Sequence, residues 1–313
     1  MLEIAEYFLM AALAFTILAL VSFAVVLTSK RRAAAPASER ESAVVGAATG
    51  GRVATIATPE GVRELRETAP EQEGPAPAHG LAWYANAFLI GALVMLTAYL
   101  GIRMSITGHG PFANQHEFAV SFTWGILLAY VVFALRYKLR ALALVVLPVT
   151  AALLVYALSL DTGIKPLIPA LQNNLLLTLH VGFAILSYGA ACVSFGAAVL
   201  YLLRGRITLR GLPSEESLDE IGYKAAVVTY PLLTIMIVLG AVWANTAWGR
   251  YWGWDPKETA AFVTWLIYGA YLHARVVRDW RGRKAAWLLI IGFISVLFAY
   301  FGNHFFGGLH SYA

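Results

Sequence analysis

The sequence predicts an all-α, polytopic integral membrane protein with about eight transmembrane helices and both termini outside. Three observations carry that prediction. Of 313 residues, 59% are hydrophobic and only 13% charged, with a mean hydropathy of +0.68, which is more apolar surface than a water-soluble globule can hide. Eight apolar runs reach the roughly 20 residues a helix needs to cross a bilayer: 5–29, 82–102, 117–135, 141–159, 175–203, 225–243, 257–277 and 285–302. An even number of spans puts both termini on one side, and the basic residues say which. Nineteen of the 23 Lys and Arg lie in 30–81, 136–140, 204–224 and 275–284, while the alternate loops hold Arg103, Lys165, Arg250 and Lys257. The positive-inside rule therefore keeps the first set in the cytoplasm.

The first run follows Glu3 and Glu6, precedes Lys30-Arg31-Arg32 and shows no small-residue cleavage site, so it reads as a retained helix over 1–29 rather than a signal peptide. Residues 30–81 are rich in Ala, Glu, Gly, Pro, Ser and Thr. Such a composition cannot offset the entropy of ordering, which predicts a disordered cytoplasmic linker with a short helix near Val62–Glu67 and a solvated His79. Residues 82–313 then form the main membrane domain. The single cysteine, Cys192, lies inside an apolar run as a small packing residue, and no Cys-x-x-Cys-His haem-attachment site occurs, so the chain is not itself a c-type cytochrome.

The loop 103–117 carries Gly108-His109-Gly110-Pro111, then Asn114, His116 and Glu117, a structured turn whose two histidines lack a zinc spacing. His109 suits a loop hydrogen bond and a ligand contact equally. The fifth span begins near Asn174 and puts His180 about 9 Å along its axis at 1.5 Å per residue, close to the outer surface. Such a histidine suits a bond to a neighbouring helix as well as a ligand role. The connection 204–224 holds a short polar helix capped by Ser214, and the sixth span has a kink at Pro231.

The chain is organised around Trp243–Thr259, WANTAWGRYWGWDPKET. Four tryptophans with Tyr251, Arg250, Asp255 and Lys257 in one loop suit a large flat ligand with negative charge at its edge: indoles stack, and cations hold carboxylates. Two plainer readings stand beside this. Trp and Tyr anchor membrane interfaces, and Asp255-Pro256-Lys257-Glu258 reads as a helix start with Asp as N-cap, Pro at N1 and Glu at N3. His273 lies about 25 Å further along that helix, above a basic inner edge of Arg275, Arg278, Arg281, Arg283 and Lys284. Beyond the last span, Gly307-Gly308 frees the tail to fold back and carry His310 to the mouth of the bundle, with His304 as a competitor.

The string WGRYWGWDPKETAAFVTW resembles the tryptophan-rich "WWD" signature of the haem-handling proteins that assemble c-type cytochromes. Its PKET ending is similar to the CcsA/ResC branch of the system II synthases. The resemblance extends to GHGPFANQHEF at 108–118, LHVGFAILSYGA at 179–190, LDEIGYKAAVVTYPLLT at 218–234, YLHAR at 271–275 and GLHSY at 308–312, and so covers roughly residues 82–313. His116 departs from it, standing where the family carries an aromatic.

The resemblance implies a haem-handling subunit that works with a CcsB/ResB-type membrane partner and presents haem b to an apocytochrome c at the external face, where Cys-x-x-Cys-His thiols add to the vinyl groups. On that basis His180 and His310 are the axial ligands of the outer haem iron and His273 contacts haem at an inner station. Trp248, Trp252 and Trp254 bracket the porphyrin, and Asp255 caps its helix and holds the loop. Arg250, Lys257 and Arg103 are candidates for the propionates, with His109 at the margin. No nucleic-acid partner is expected. Two other classes stay open: a haem-bearing electron-transfer subunit, which would want histidines paired at matching depth, and a solute transporter.

Overall fold

The chain is described from a computed structural model, which covers residues 2–29 and 79–310 apart from 138, 165, 173, 208, 210, 303 and 304. Among these, every regular element is helical. In chain order they are α1 (Leu2–Thr28), α2 (His79–Thr107), α3 (Gln115–Tyr137), α4 (Ala143–Leu158, entered through a 3-10 turn at Arg140–Leu142), α5 (Asn174–Leu203, preceded by a 3-10 turn at Pro169–Gln172), α6 (Glu215–Trp248), α7 (Pro256–Val277) and α8 (Arg283–Phe301). All eight have the length and hydropathy to cross a bilayer. Of the linker expected over 30–81, residues 79–81 form the first turn of α2, so the helix starts at His79 and not at 82; the rest of the linker, its short helix near 62–67 and the competing His304 fall outside the described residues.

α5 is the centre of the bundle, packing on α3, α6 and α8. Apolar side chains alone cannot drive helices together in lipid, so close backbone approach matters there. At the α3–α5 crossing a Cβ on Gly125 would strike Ile185, and one on Gly189 would strike the Gly125 carbonyl. Only glycine permits this contact, which brings the backbones of α3 and α5 together.

α6 departs from the expected pattern. The short polar helix after Ser214 and the sixth span are one uninterrupted helix of 34 residues, about 51 Å long at 1.5 Å per residue. Nothing between Glu220 and Ala225 breaks a helix, and Pro231 lies within the run without ending it. Ser214 does cap it, accepting from the Ser217 N–H at 3.1 Å. The extra length carries α6 through Trp248 to a left-handed C-cap at Gly249 (φ 73°). Trp243 and Trp248 are thus helical, and the turn proper is 249–255, shorter than the loop over 243–259 that composition suggests.

The bundle has two polar ends. One, the loop end, gathers the α2–α3 loop, the α4–α5 segment, the turn 249–255 and the tail after α8. The other, the basic end, holds the α3–α4, α5–α6 and α7–α8 connections.

Candidate functional site

At the loop end a largely apolar cavity of about 1160 Å³, part of it open to solvent, lies between α5, α6, α7, the α2–α3 loop and the tail. His180, His310, Trp252 and Lys257 all line it, together with Trp243, Phe118, Tyr188 and Tyr300.

His180 projects from α5 toward α6, with Nδ1 2.8 Å from the Met236 carbonyl oxygen. A carbonyl only accepts, so the proton sits on Nδ1 and the neutral ring keeps its lone pair on Nε2. The space for the ring comes from Gly240, where a Cβ would lie 2.6 Å from His180 Cε1 and 2.8 Å from Nδ1. One turn further along α6, Trp243 lies parallel to the imidazole, with centroids 6.2 Å apart and planes at 7°. Trp243 is only 1% exposed, and its indole N–H donates to the Ala170 carbonyl at 3.1 Å. Met236, Gly240 and Trp243 stand at i, i+4 and i+7, so one face of α6 supplies the acceptor, the gap and the wall for His180.

His310 arrives from the other side. Its ring packs edge-on against Trp248 at 4.8 Å and tilted against Trp243 at 5.8 Å. Nδ1 lies 2.8 Å from Asp255 Oδ1. Burial holds the His310 imidazole below its ordinary pKa, against the pull of the Asp255 carboxylate. Burial also works against the charge on Asp255, but the hydrogen bonds it accepts from the His310 ring and the Lys257 N–H hold its carboxyl well below the usual range. The pair is therefore a neutral imidazole donating to an ionised carboxylate.

Asp255 also starts α7. Its Oδ1 accepts from the Lys257 N–H at 2.9 Å, while Glu258 Oε2 returns to the N–H groups of Asp255 and Gly253 at 3.1 and 2.8 Å, completing the capping box read from the sequence. Lys257, the second residue of that helix, extends over the Phe118 ring at 5.1 Å, and no ion pair holds it among the described residues. It is the cavity's cation. Trp252 forms part of the wall. Trp254 stands outside it, 66% exposed on a left-handed backbone (φ 54°), and meets Trp252 edge-on at 5.7 Å.

Several expected contacts are absent from the cavity. Arg103 is fully buried and spent on structure: its Nε donates to Glu117 Oε1 at 2.7 Å and Nη1 to the Thr162 carbonyl at 2.9 Å. Glu117 in turn accepts from the Ala113 N–H at 2.8 Å and so holds the loop that walls the cavity. His116 is buried in the same knot between Tyr99 Oη and the Ala157 carbonyl. His109 bonds its neighbour's carbonyl, at Gly110. Arg250 is exposed at the turn, its guanidinium packed on Gly253. His273 is exposed on α7 at the basic end. Two participants were legible only in part: Trp243 was counted with the loop, and the Phe112–Gln115 wall has no signature beyond its turn residues.

Fold and site together define a multi-pass membrane protein with a histidine pair and an aromatic wall at one membrane face. Residues 113–310 match the family model described as "Cytochrome C assembly protein". The chain is 36% identical over 261 residues to the cytochrome c biogenesis protein CcsA of Guillardia theta, covering 72% of this chain and 86% of that one. With CcsA of Prochlorococcus marinus (strain AS9601) it shares 37% over 251 residues, 70% and 81% of the two chains. A solved structure of cytochrome c haem lyase CcmF superposes with a TM-score of 0.60 at 18% identity; the match covers 96% of this chain and 46% of that one, so the chain spans about half its length and the likeness concerns the fold. The chain belongs to the cytochrome c assembly family, in its CcsA branch, as a multi-pass membrane protein of cytochrome c biogenesis.

Proposed function

We propose that the chain is the haem-presenting subunit of a cytochrome c synthase, with haem b as its substrate, held at the loop end between His180 and His310. One observation carries this reading: both histidines line one cavity, and each commits Nδ1–H to an oxygen acceptor, the arrangement metal-ligating imidazoles use to offer Nε2. Two nitrogen donors facing an apolar, aromatic-walled space suit an iron macrocycle and no hydrated ion.

In this reading His180 and His310 are the axial ligands, and Trp243, Trp248 and Trp252 confine the ring. Lys257 pairs with a propionate, which supplies the ion-pair partner that Lys257 lacks among the described residues. The exposed Trp254 and Tyr251 form the rim an apocytochrome meets. The reaction adds a cysteine S–H across a vinyl C=C: the S–C bond forms at one carbon and the proton goes to the other, with no net oxidation. The chain contributes position rather than acid–base chemistry, since holding reactants in register is itself worth several orders of magnitude in rate.

His273 serves a second, inner station. It is exposed and has no hydrogen bond among the described residues, which fits a ligand completed by a CcsB/ResB-type subunit. The Lys and Arg asymmetry supports a loop end and both termini outside the cytoplasm.

Purification with and without a candidate partner, followed by haem spectra, tests the whole. The complex should carry bis-histidine haem and the isolated chain less of it. A preparation without haem points to a transporter, and one with haem that attaches none to a co-expressed apocytochrome points to an electron carrier. A reporter active only outside the cytoplasm should work after Ala313 and fail at Gly205; the reverse pattern overturns the orientation.

A further inference from the structure

Asp255 has more partners than a helix cap needs. Its side chain is 2% exposed, and one oxygen, Oδ1, accepts from both the Lys257 N–H and His310 Nδ1, at 2.9 and 2.8 Å. The two donors are 53 residues apart in the chain. The tail reaches this carboxylate only because residue 308 is glycine: a Cβ there would strike Asp255 Oδ2 and lie 2.9 Å from Pro256 Cδ. A single carboxylate thus joins the first turn of α7 to the tail.

The two site histidines differ in the acceptor behind them. His180 donates to a neutral backbone carbonyl, Met236 O, whereas His310 donates to an anion. At the same 2.8 Å separation, a charged acceptor makes the stronger bond and pushes more electron density through the imidazole to its other nitrogen. The pairing also fixes the ring: with Nδ1 anchored on Asp255 and the ring edge-on to Trp248, His310 lines the cavity in a set orientation.

We propose that Asp255 is the positioning residue of the loop-end site: the carboxylate that starts α7 also aims His310 into the cavity and raises the basicity of the nitrogen it offers to haem iron. This rests on the reading of His310 as an axial ligand. Helix cap and iron ligand are then one unit, so anything that moves the turn 249–255 moves the ligand with it. The haem is held unsymmetrically, with the tail histidine the stronger donor and the α5 histidine the weaker. Second-sphere hydrogen bonding of this kind is one of the means by which a protein sets a haem's potential.

The cap and the ligand role separate by substitution. Asparagine caps helices about as well as aspartate but carries no charge, so Asp255→Asn in the full chain with its partner should keep the thermal midpoint while losing haem about 10–100-fold faster, the usual consequence of removing such a partner. Its haem midpoint potential should move to a more positive value, because a weaker donor stabilises ferric iron less. Asp255→Ala should add a loss of thermal stability. Gly308→Ala, which keeps the carboxylate but pushes the tail away, should lose haem with the helix start intact. In His310→Ala, added imidazole should restore the haem spectrum by taking the vacated place against Asp255, and the double variant with Asp255→Asn should need about tenfold more imidazole for the same recovery. Wild-type haem retention and potential in Asp255→Asn would show that Asp255 is a cap and nothing more. If His310→Ala itself leaves the haem spectrum unchanged, it is the ligand reading that falls.

Discussion

The two ends of this bundle each hold histidine on a long helix or its continuation, and they prepare it in different ways. At the loop end His180 and His310 have their Nδ1 atoms committed and their rings packed on Trp243 and Trp248, inside one cavity. At the basic end His273 is exposed, although the residues near it are tied together by polar contacts. Two residues on, Arg275 is 6% exposed, pairs with Asp219 at 2.5 Å and lies over the Tyr223 ring at 5.2 Å, while Asp219 takes the Gly282 N–H at 3.0 Å. That knot ties α6, α7 and α8 together and fixes the level of His273 without touching its ring. An imidazole made ready for iron has its second nitrogen anchored. The loop end carries both anchors in this chain, whereas at the basic end no anchor for the His273 ring is found among the described residues.

The largest expected effect breaks the loop end outright. His180→Ala or His310→Ala should abolish cytochrome c maturation, with partial recovery in imidazole; normal maturation in either would remove the site. Gly240→Leu should come close to the same loss without touching a ligand, since its side chain must occupy the space of the His180 ring. Haem content per folded protein is the measurement, and a wild-type value would mean that His180 has room to spare.

Arg103→Gln tests a different kind of importance. Removing one partner of a buried ion pair costs about 3–5 kcal/mol because the other charge is left unpaired, so thermal stability should fall steeply while haem per folded molecule changes little. A specific haem defect at normal stability would return Arg103 to the propionates. Lys257→Gln should weaken haem retention about tenfold, the scale of one charge-assisted hydrogen bond near 1.5 kcal/mol. Haem lacking its propionates should erase the difference between variant and wild type. The smallest effect belongs to His273→Ala in the isolated chain, where haem spectra should be unchanged. In the complex the same substitution should remove one haem per complex, and a change confined to the isolated chain would contradict a shared inner station.

Much of the architecture was legible because membrane spans are local statements. A run of some 20 apolar residues must be helical wherever its neighbours lie, since no water is present to satisfy its backbone. Asp255-Pro256-Lys257-Glu258 likewise carries its own N-cap within one turn, and the structure has it. The depth of His180 follows from counting residues from the start of α5 at Asn174. The length of α6 was not legible in this way: hydropathy marks the apolar middle of a helix, and its polar extensions at either end look like loops.

Tertiary structure alone decided which polar groups meet. Arg103 looked free to bind a ligand and is taken by Glu117, fourteen positions away, and by a carbonyl 59 positions away. His116 and His310 are both histidines near the same membrane face, yet one is buried in a structural knot and the other meets Asp255 across 55 positions. Trp243 became the wall shared by both histidines because it stands on the face of α6 that also carries Met236 and Gly240. In a bilayer a lipid tail and a neighbouring helix are equally apolar, so hydropathy places each helix in the membrane and is silent on its neighbours. Those are chosen by close glycine contacts and by the few polar side chains that must find one another.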